Sequence, residues 1–245
     1  MLFRSSNNIL NMNNYYIQKI SNELAKEKII KNHYTHKWTI AELCIGLYLT
    51  SNPDKFDFPS LVGVIVFGPT AGANVCKSIS KLLKPKELWE LKRLWLTDSC
   101  PKNSESWFIS QSIDYIKKNY SNIKCLISYA DPDAGHIGTI YQASNWLYQN
   151  IERPPQTSGY VVSFDDGNTW AHGRTLFNKY GTFEKNKLIK QLPRPFLIKE
   201  LSTKERYIYP LGNASEKKKL IKSLNHKLLS YPKKNKDKMN VTKYD

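Results

Sequence analysis

The stretch from Ser128 to Gln149, with the apolar run that leads into it, constrains this chain more than any other. Ile123 to Ala130 is an apolar run with β-branched residues in approximate alternation, the pattern of a strand. It stops at Asp131-Pro132-Asp133, where proline removes a ladder donor and aspartate favours a turn. Beyond Gly135 the period changes. Ile137, Ile140, Tyr141, Ser144, Leu147 and Tyr148 recur at three-and-four spacing, which predicts a helix. In open α/β sheets ligands sit outside the carboxyl ends of strands, and a helix N-terminus favours anions. Asp131, Asp133 and His136 occupy such a joint, and Tyr141 on the next turn can point back toward it. The competing reading is structural: Asp131 or Asp133 caps the helix, His136 is a hydrogen-bonded first-turn residue and Tyr141 a core aromatic.

At 245 residues the chain can bury one sizeable core, with or without an extension. Its 37 lysines and arginines against 21 acids leave a net charge of +16, which points to a polyanionic partner, nucleic acid first. A lysine-rich solvated surface would give part of the same excess. Cys44, Cys76, Cys100 and Cys125 are widely spaced with no Cys-x-x-Cys pair, so neither a disulfide framework nor a zinc knuckle is expected. Three of them sit in or beside apolar segments as reduced, buried fillers. No run of about eighteen apolar residues predicts a membrane span, and the N-terminus lacks the apolar core of a secretory signal. The expected setting is a reducing cytoplasm.

Taken in order, residues 1–14 are Asn-rich and read as a flexible arm. Tyr15 to Lys31 carries helical spacing at Ile17, Ile20, Leu24 and Ala25. His33 and His36 follow, three apart, either flanking a helix end or spaced as metal ligands. Ile40–Leu49 alternates as a half-exposed strand, and after a polar connection over 50–60, Leu61–Phe67 is apolar throughout and central. The loop Gly68 to Ala73 has no Lys-Ser/Thr ending, so it is not a P-loop, and its small residues allow a ligand or backbone to come close. Glu87–Thr97 reads as a strand with Trp89, Leu91, Arg93 and Trp95 on one face, where a buried Arg93 needs Glu90 or an anionic ligand. Asn103 or Ser104 then caps a helix with Phe108, Ile109, Ile113 and Ile116 as its buried stripe. Free amides there, with Ser104 and Ser106, suit a phosphate as well as an ordinary cap.

Pro154-Pro155 marks a break, and Ser158–Phe164 reads as a further strand. The loop from Asp165 to Thr175 interleaves Trp170, His172 and Arg174 with small residues, which suits base stacking and phosphate contact; a structural loop with one buried tryptophan is the rival. Phe196–Leu211 offers one strand or a pair, carrying Lys204 and Arg206. Residues 213–245 form a basic tail, with a short amphipathic helix through Leu220, Leu224 and Leu228 and disorder after Tyr231.

Several segments in succession, NHYTHKW, ELKRLWL, PKNSESWF, SYADPDAGHIGTIYQASNWLYQ, DGNTWAHGRTLFNKYGT and KERYIYPLG, resemble the phage Mom-type DNA modification proteins, an offshoot of the GNAT acyltransferase superfamily. They cover roughly residues 30–212. The resemblance implies a mixed α/β (α+β) fold with a GNAT-like central, splayed sheet flanked by helices, formed by residues 15–212 and followed by the basic extension. It implies that a carbamoylmethyl group is added to the N6 amine of adenine in DNA, blocking restriction nucleases. By motif, the functional positions would be His33, Arg93, Ser106, Asp131 and Tyr141, with His136 in the same stretch. The Gln/Arg-x-x-Gly-x-Gly/Ala pyrophosphate loop of ordinary GNAT enzymes is missing. DSCPKNSES takes its place, making Asn103, Ser104 and Ser106 the candidate contacts for acetyl-CoA or a related donor. The family product is not a simple acetyl group, so acetyl transfer alone cannot account for it.

The chemistry these residues would perform follows from the substrate. An adenine amino group is a weak nucleophile, and a carboxylate such as Asp131 can take its proton as the new bond forms. His136 or His33 can relay that proton, Tyr141 can stack on the base or donate to the donor group, and Arg93 can hold an anion or orient Asp131. A base in double-stranded DNA must be flipped out, with Trp170, His172, Arg174, Lys204 and Arg206 gripping the duplex. A metal ion, iron among the options, would draw on His33, His36, Asp131 or His136. Two rival functions stay open: a conventional acyl-CoA-dependent N-acyltransferase acting on a protein or small amine, and a non-catalytic nucleic-acid-binding module.

Overall fold

The computed structural model describes residues 12–50, 58–149, 159–182, 184–233 and 241–244. Most of the arm over 1–11, part of the connection at 51–57, the Pro154-Pro155 break and the tail over 234–240 lie outside the described residues. The chain divides into two compact units: residues 1–128, 139–149 and 206–229 form one, and 129–138, 150–205 and 230–245 the other.

The first unit is a mixed sheet of seven strands. It contains β1 (Tyr15–Lys19), β2 (Leu43–Leu49), β3 (Ser60–Pro69), β4 (Leu88–Leu96), β5 (Cys125–Ala130), β6 (Leu147–Gln149) and β10 (Glu205–Pro210), in the order β1-β2-β3-β4-β5-β10-β6. Its helices are α1 (Asn22–Asn32), α2 (Ala73–Ile79), α3 (Ser104–Asn119), α4 (Thr139–Ala143) and α7 (Ala214–Lys222). β1 to β4 pair antiparallel, whereas β4 and β5 are parallel and joined through α3. That crossover carries α3's N-terminus to the carboxyl ends of both strands.

Local sequence decides several boundaries. Helical spacing predicts a helix from Tyr15, yet Tyr15–Lys19 is a strand, paired residue for residue with Leu49–Ile45. Aromatic and β-branched side chains favour the pleat, and the edge of β2 satisfies its backbone. The helix starts only where Ser21 accepts from Leu24 N at 3.2 Å, and Ala25 and Ile29 form its buried stripe. With β1 on one side and β3 on the other, β2 is buried from Leu43 to Leu47, more than its alternation implies. Gly68 is required by a close approach: a Cβ there would meet the Ile40 carbonyl oxygen at 2.5 Å.

The helix expected through Tyr148 is also shorter. α4 has five residues, Asn145 turns the chain at φ 59°, and Leu147–Gln149 pair with Ile208–Arg206. Sheet pairing of β6 with β10 has overridden the three-and-four spacing.

The second unit holds β7 (Tyr160–Ser163), β8 (Ala171–His172), β9 (Phe196–Glu200) and β11 (Val241–Tyr244), in the order β11-β9-β7-β8, with α5 (Gly173–Tyr180) and α6 (Lys185–Ile189). Its core is Tyr160, Val162, Leu176, Leu188, Leu192, Phe196 and Ile198. Phe196–Leu211 is thus a pair of strands, but β9 and β10 belong to different sheets. The expected disorder after Tyr231 is corrected at Val241–Tyr244, which pairs antiparallel with β9 and stacks Tyr244 on Phe196 at 4.9 Å.

The four cysteines are free. Cys44, Cys76 and Cys125 are buried, and burial pushes the Cys44 thiol up to about 11, as inert fillers require. Among the described residues no helix is long and apolar enough to cross a membrane.

Candidate active site

The parallel pairing of β4 with β5 is brief. Leu88, Trp89 and Glu90 pair with Cys125, Leu126 and Ile127, and there the ladder stops, although both strands continue. The sheet therefore opens between them at their carboxyl ends, where ligands of α/β sheets bind.

β4 carries a bulge at the same point. Phe67 sits opposite Leu91 and Val66 opposite Arg93, so Lys92 is the extra residue. Directly opposed residues share a face, and Phe67 and Val66 point to opposite faces. Arg93 is therefore on the face of Glu90 and Trp95, not on that of Trp89 and Leu91 as simple alternation predicts. Arg93 is half-buried rather than buried, and its Nε donates to Lys37 O at 3.1 Å and its Nη1 to Lys92 O at 2.7 Å, so backbone carbonyls meet part of the guanidinium's need. Burial lowers the Arg93 pKa from its ordinary value, against the opposing influence of Tyr34 and Glu90. From Lys92 to Leu96 the strand is half-buried, consistent with the missing partner on its β5 side.

Across the opening, Ser128 is buried and has two oxygen neighbours, Leu91 O at 2.9 Å and the Tyr141 hydroxyl at 2.7 Å. A carbonyl can only accept, so the single Ser128 proton goes to Leu91 and Tyr141 donates to Ser128 Oγ. Ser128 thereby caps the first carbonyl that the splayed ladder leaves behind. Burial pushes the Tyr141 phenol up to about 12, so it stays protonated at neutral pH. Its ring lies 5.3 Å from Trp146 and 5.2 Å from Tyr207, and the residue is only 7% exposed. Those contacts rule out the expected stacking of Tyr141 on a base.

Tyr34 has the exposure that Tyr141 lacks, at 60%, and its ring is 4.4 Å from that of buried His33. His33 Nδ1 accepts from Thr35 N at 3.1 Å, which puts the proton of the neutral ring on Nε2. His36, at φ 48°, holds Ile30 O with its Nδ1 at 2.9 Å. The pair thus closes the end of α1, the flanking role weighed against metal ligation. Among the described residues no group of three or more His, Cys, Asp or Glu is placed to hold a metal ion.

At α3, Asn103 takes φ 72° and makes no side-chain cap, so the first-turn amides are not served by it. The Ser104 hydroxyl donates to Pro101 O at 2.7 Å and Ser106 to Asn103 O at 2.9 Å. The Ser104 amide also donates to Pro101 O, at 3.2 Å, so the first-turn amides after it, rather than the serine hydroxyls, are the donors suited to an anionic ligand.

Asp131, His136, Lys204 and the loop around Trp170 belong to the second unit. Asp131 Oδ1 accepts from Asp133 N at 3.1 Å, so the capping alternative describes its backbone role, over a single turn of 3₁₀ helix. Its Oδ2 lies 3.1 Å from Lys204 Nζ. Two expected site residues are thus brought together, with Lys204 on a carboxylate where a phosphate is expected. His136 N bonds Asp131 O at 3.0 Å, and Asp133 takes Ser202 N and Oγ at 2.9 and 2.7 Å. The acidic joint is therefore fastened to the chain just after β9.

The loop from Asp165 is largely self-supporting. Asp165 accepts from Ser163 Oγ, Thr169 N and Thr169 Oγ1, and these bonds hold its carboxyl at about 2. Trp170 at its end stays partly exposed with Lys199 Nζ 6.0 Å from the ring centre, and His172 is exposed. The Arg174 side chain lies outside the described residues. Arg206 corrects its expected role: it is fully buried in the first unit, bonded to Ser78 Oγ at 2.9 Å and to Gln149 Oε1, and does not reach a phosphate.

Sequence reasoning missed Lys92, Tyr34 and the role of Ser128. The adjacent Lys92-Arg93 inside an alternating strand was the one available sign of the bulge.

Residues 14–233 match the model of the Mom protein family. The methylcarbamoylase Mom of Escherichia phage Mu is 32% identical over 130 residues, 53% of this chain and 51% of that protein, so the match spans about half of that relative's length. Among solved structures, Arabidopsis thaliana NAA60 in complex with acetyl-CoA is similar at 8% identity and TM-score 0.46, covering 80% of this chain and 99% of that one. A Bacillus subtilis acetyltransferase in complex with CoA follows at 10% identity and TM-score 0.39, covering 80% and 97%.

Proposed function

The chain belongs to the Mom protein family, and from that membership we propose that it transfers a carbamoylmethyl group to the N6 amine of adenine in DNA. The observation that carries the reading is the match over residues 14–233 in a chain whose sheet opens between β4 and β5. The opening, with the first-turn amides of α3 at the same strand ends, suits an acyl-CoA-class donor whose phosphates take those amides.

In this reading each residue takes a role that its own surroundings support. Asp131, oriented by Lys204, takes the N6 proton as the amine forms its bond to the donor carbon and the donor's leaving group departs. Tyr141 stays neutral with its one proton on Ser128, so it holds the end of β5 in place rather than donating to the donor group. Tyr34, exposed above His33, supplies an aromatic face for a flipped base, and Arg93 pairs with negative charge on the donor. Trp170 and His172 contact the duplex. An acetyl group alone supplies neither the amide nitrogen nor a methylene on N6, so the donor carries both, and the bond to N6 forms at its methylene carbon as the leaving group departs from that carbon.

Plasmid prepared from cells expressing the protein tests this. Resistance to nucleases that cut at adenine-containing sites, lost in Asp131→Asn, is expected. Full sensitivity despite folded protein would count against the reading.

A further inference from the structure

The first unit carries a second feature, at the other end of β4 and β5. A groove of about 600 Å³ is lined by Lys84, Pro85, Lys86, Glu87, Asn122 and Lys124. It precedes the first residue of β4, so it lies about 20 Å from Arg93 along the strand at about 3.3 Å per residue. From it α7 extends the basic surface. Lys124 Nζ is 3.5 Å from Glu216 in the first turn of α7. At the other end Ser223 Oγ meets Ser80 Oγ at 2.6 Å, and Asn225 donates to Lys77 O at 2.7 Å. The nine residues of α7 thus bridge the groove to the end of α2, and Lys218, Lys219 and Lys222 are exposed along it.

The local acids, Glu87 and Glu216, offset only part of this surface, and Glu216 is already paired with Lys124. Glu87 Oε2 accepts from Lys84 N at 2.8 Å, and Glu216 Oε2 from Asn213 N at 2.8 Å, so both carboxylates cap backbone. Among the described residues Lys84, Lys86, Lys218, Lys219 and Lys222 make no ion pair. The apolar side of α7 is spent on the core through Leu220, which leaves no broad apolar face for insertion into a lipid surface.

We propose that this groove and α7 form a second duplex-binding surface, which grips the phosphate backbone of DNA away from the reacting base. It rests on the reading of DNA as substrate, and it would hold the protein on DNA without reading sequence, since lysine-to-phosphate contacts carry no base information.

Binding of the full chain to a fluorescent linear duplex, measured across a salt series, tests it without relying on chemistry. Replacing Lys84, Lys86, Lys218 and Lys219 by Gln should weaken binding roughly tenfold to a hundredfold and flatten the salt dependence by about 0.9 for each phosphate left unneutralised. The same four positions changed to Arg should bind as wild type. The Gln variant should still modify adenine at saturating DNA, which separates failure of this surface from failure of the active-site reading. Unchanged affinity and salt slope in the Gln variant would overturn the proposal, as would tighter binding of wild type to phosphatidylserine vesicles than to DNA.

Discussion

Removing the hydroxyl of Ser128 should cost more than removing that of Tyr141, although the two share one hydrogen bond. In Ser128→Ala the Leu91 carbonyl loses its donor and the buried Tyr141 hydroxyl loses its acceptor. Two orphaned buried groups cost about 1–3 kcal/mol each at most, so about 3 kcal/mol in total is expected. In Tyr141→Phe, Ser128 still donates to Leu91 and only a spare acceptor goes unused, so the loss is about 1 kcal/mol. At about 2–4 °C per kcal/mol for a chain of this size, the melting temperatures should fall by about 6–12 °C and 2–4 °C. The double variant is the sharper test. It lacks the orphaned phenol, so it should be more stable than Ser128→Ala alone, with a coupling of about 2 kcal/mol. Thermal unfolding of the three variants measures this. Equal losses in the single variants, or strictly additive ones in the double, would refute the assigned proton direction.

Three further outcomes follow from the geometry. Because Tyr141 is raised to about 12 from 10.0, the unfolded chain loses that proton first as pH rises; its stabilising effect is complete below about 10 and fades toward 12. Tyr141→Phe should therefore lose about 3 kcal/mol less stability than wild type over that window in denaturant titrations. Asp165, held at about 2, keeps its loop ordered above the ordinary carboxylate range and releases it as pH falls from about 4 to about 2. Trp170 fluorescence should report a midpoint in the lower part of that range, and Asp165→Asn should abolish the transition. Gly68→Ala should destabilise by about 1–3 kcal/mol, read from the urea midpoint, because its Cβ would meet backbone that cannot rotate away.

Much of this architecture was legible in the sequence. The apolar run of β3, the strand leading to Asp131 and the stripe of α3 were set by composition and period, and the structure has all three. What period could not give was pairing. Tyr15–Lys19 is a strand because β2 offers it an edge, and Leu147–Gln149 is one because β10 does. The face of Arg93 was misread because a single inserted residue, Lys92, reverses the alternation. At the site, the motif residues were identifiable by type, but their partners were not. Asp131 with Lys204 and buried Arg206 with Gln149 join positions far apart in sequence, and Tyr141 reaches Ser128 only because the chain turns between them, so no local pattern encodes those contacts.

The most direct measurement is mass spectrometry of nucleosides from DNA exposed to the protein in cells, with Asp131→Asn as the paired control. The account predicts a carbamoylmethylated deoxyadenosine with the wild-type chain and only deoxyadenosine with the variant. Unmodified deoxyadenosine with folded wild-type protein, or an undiminished adduct with Asp131→Asn, would contradict it.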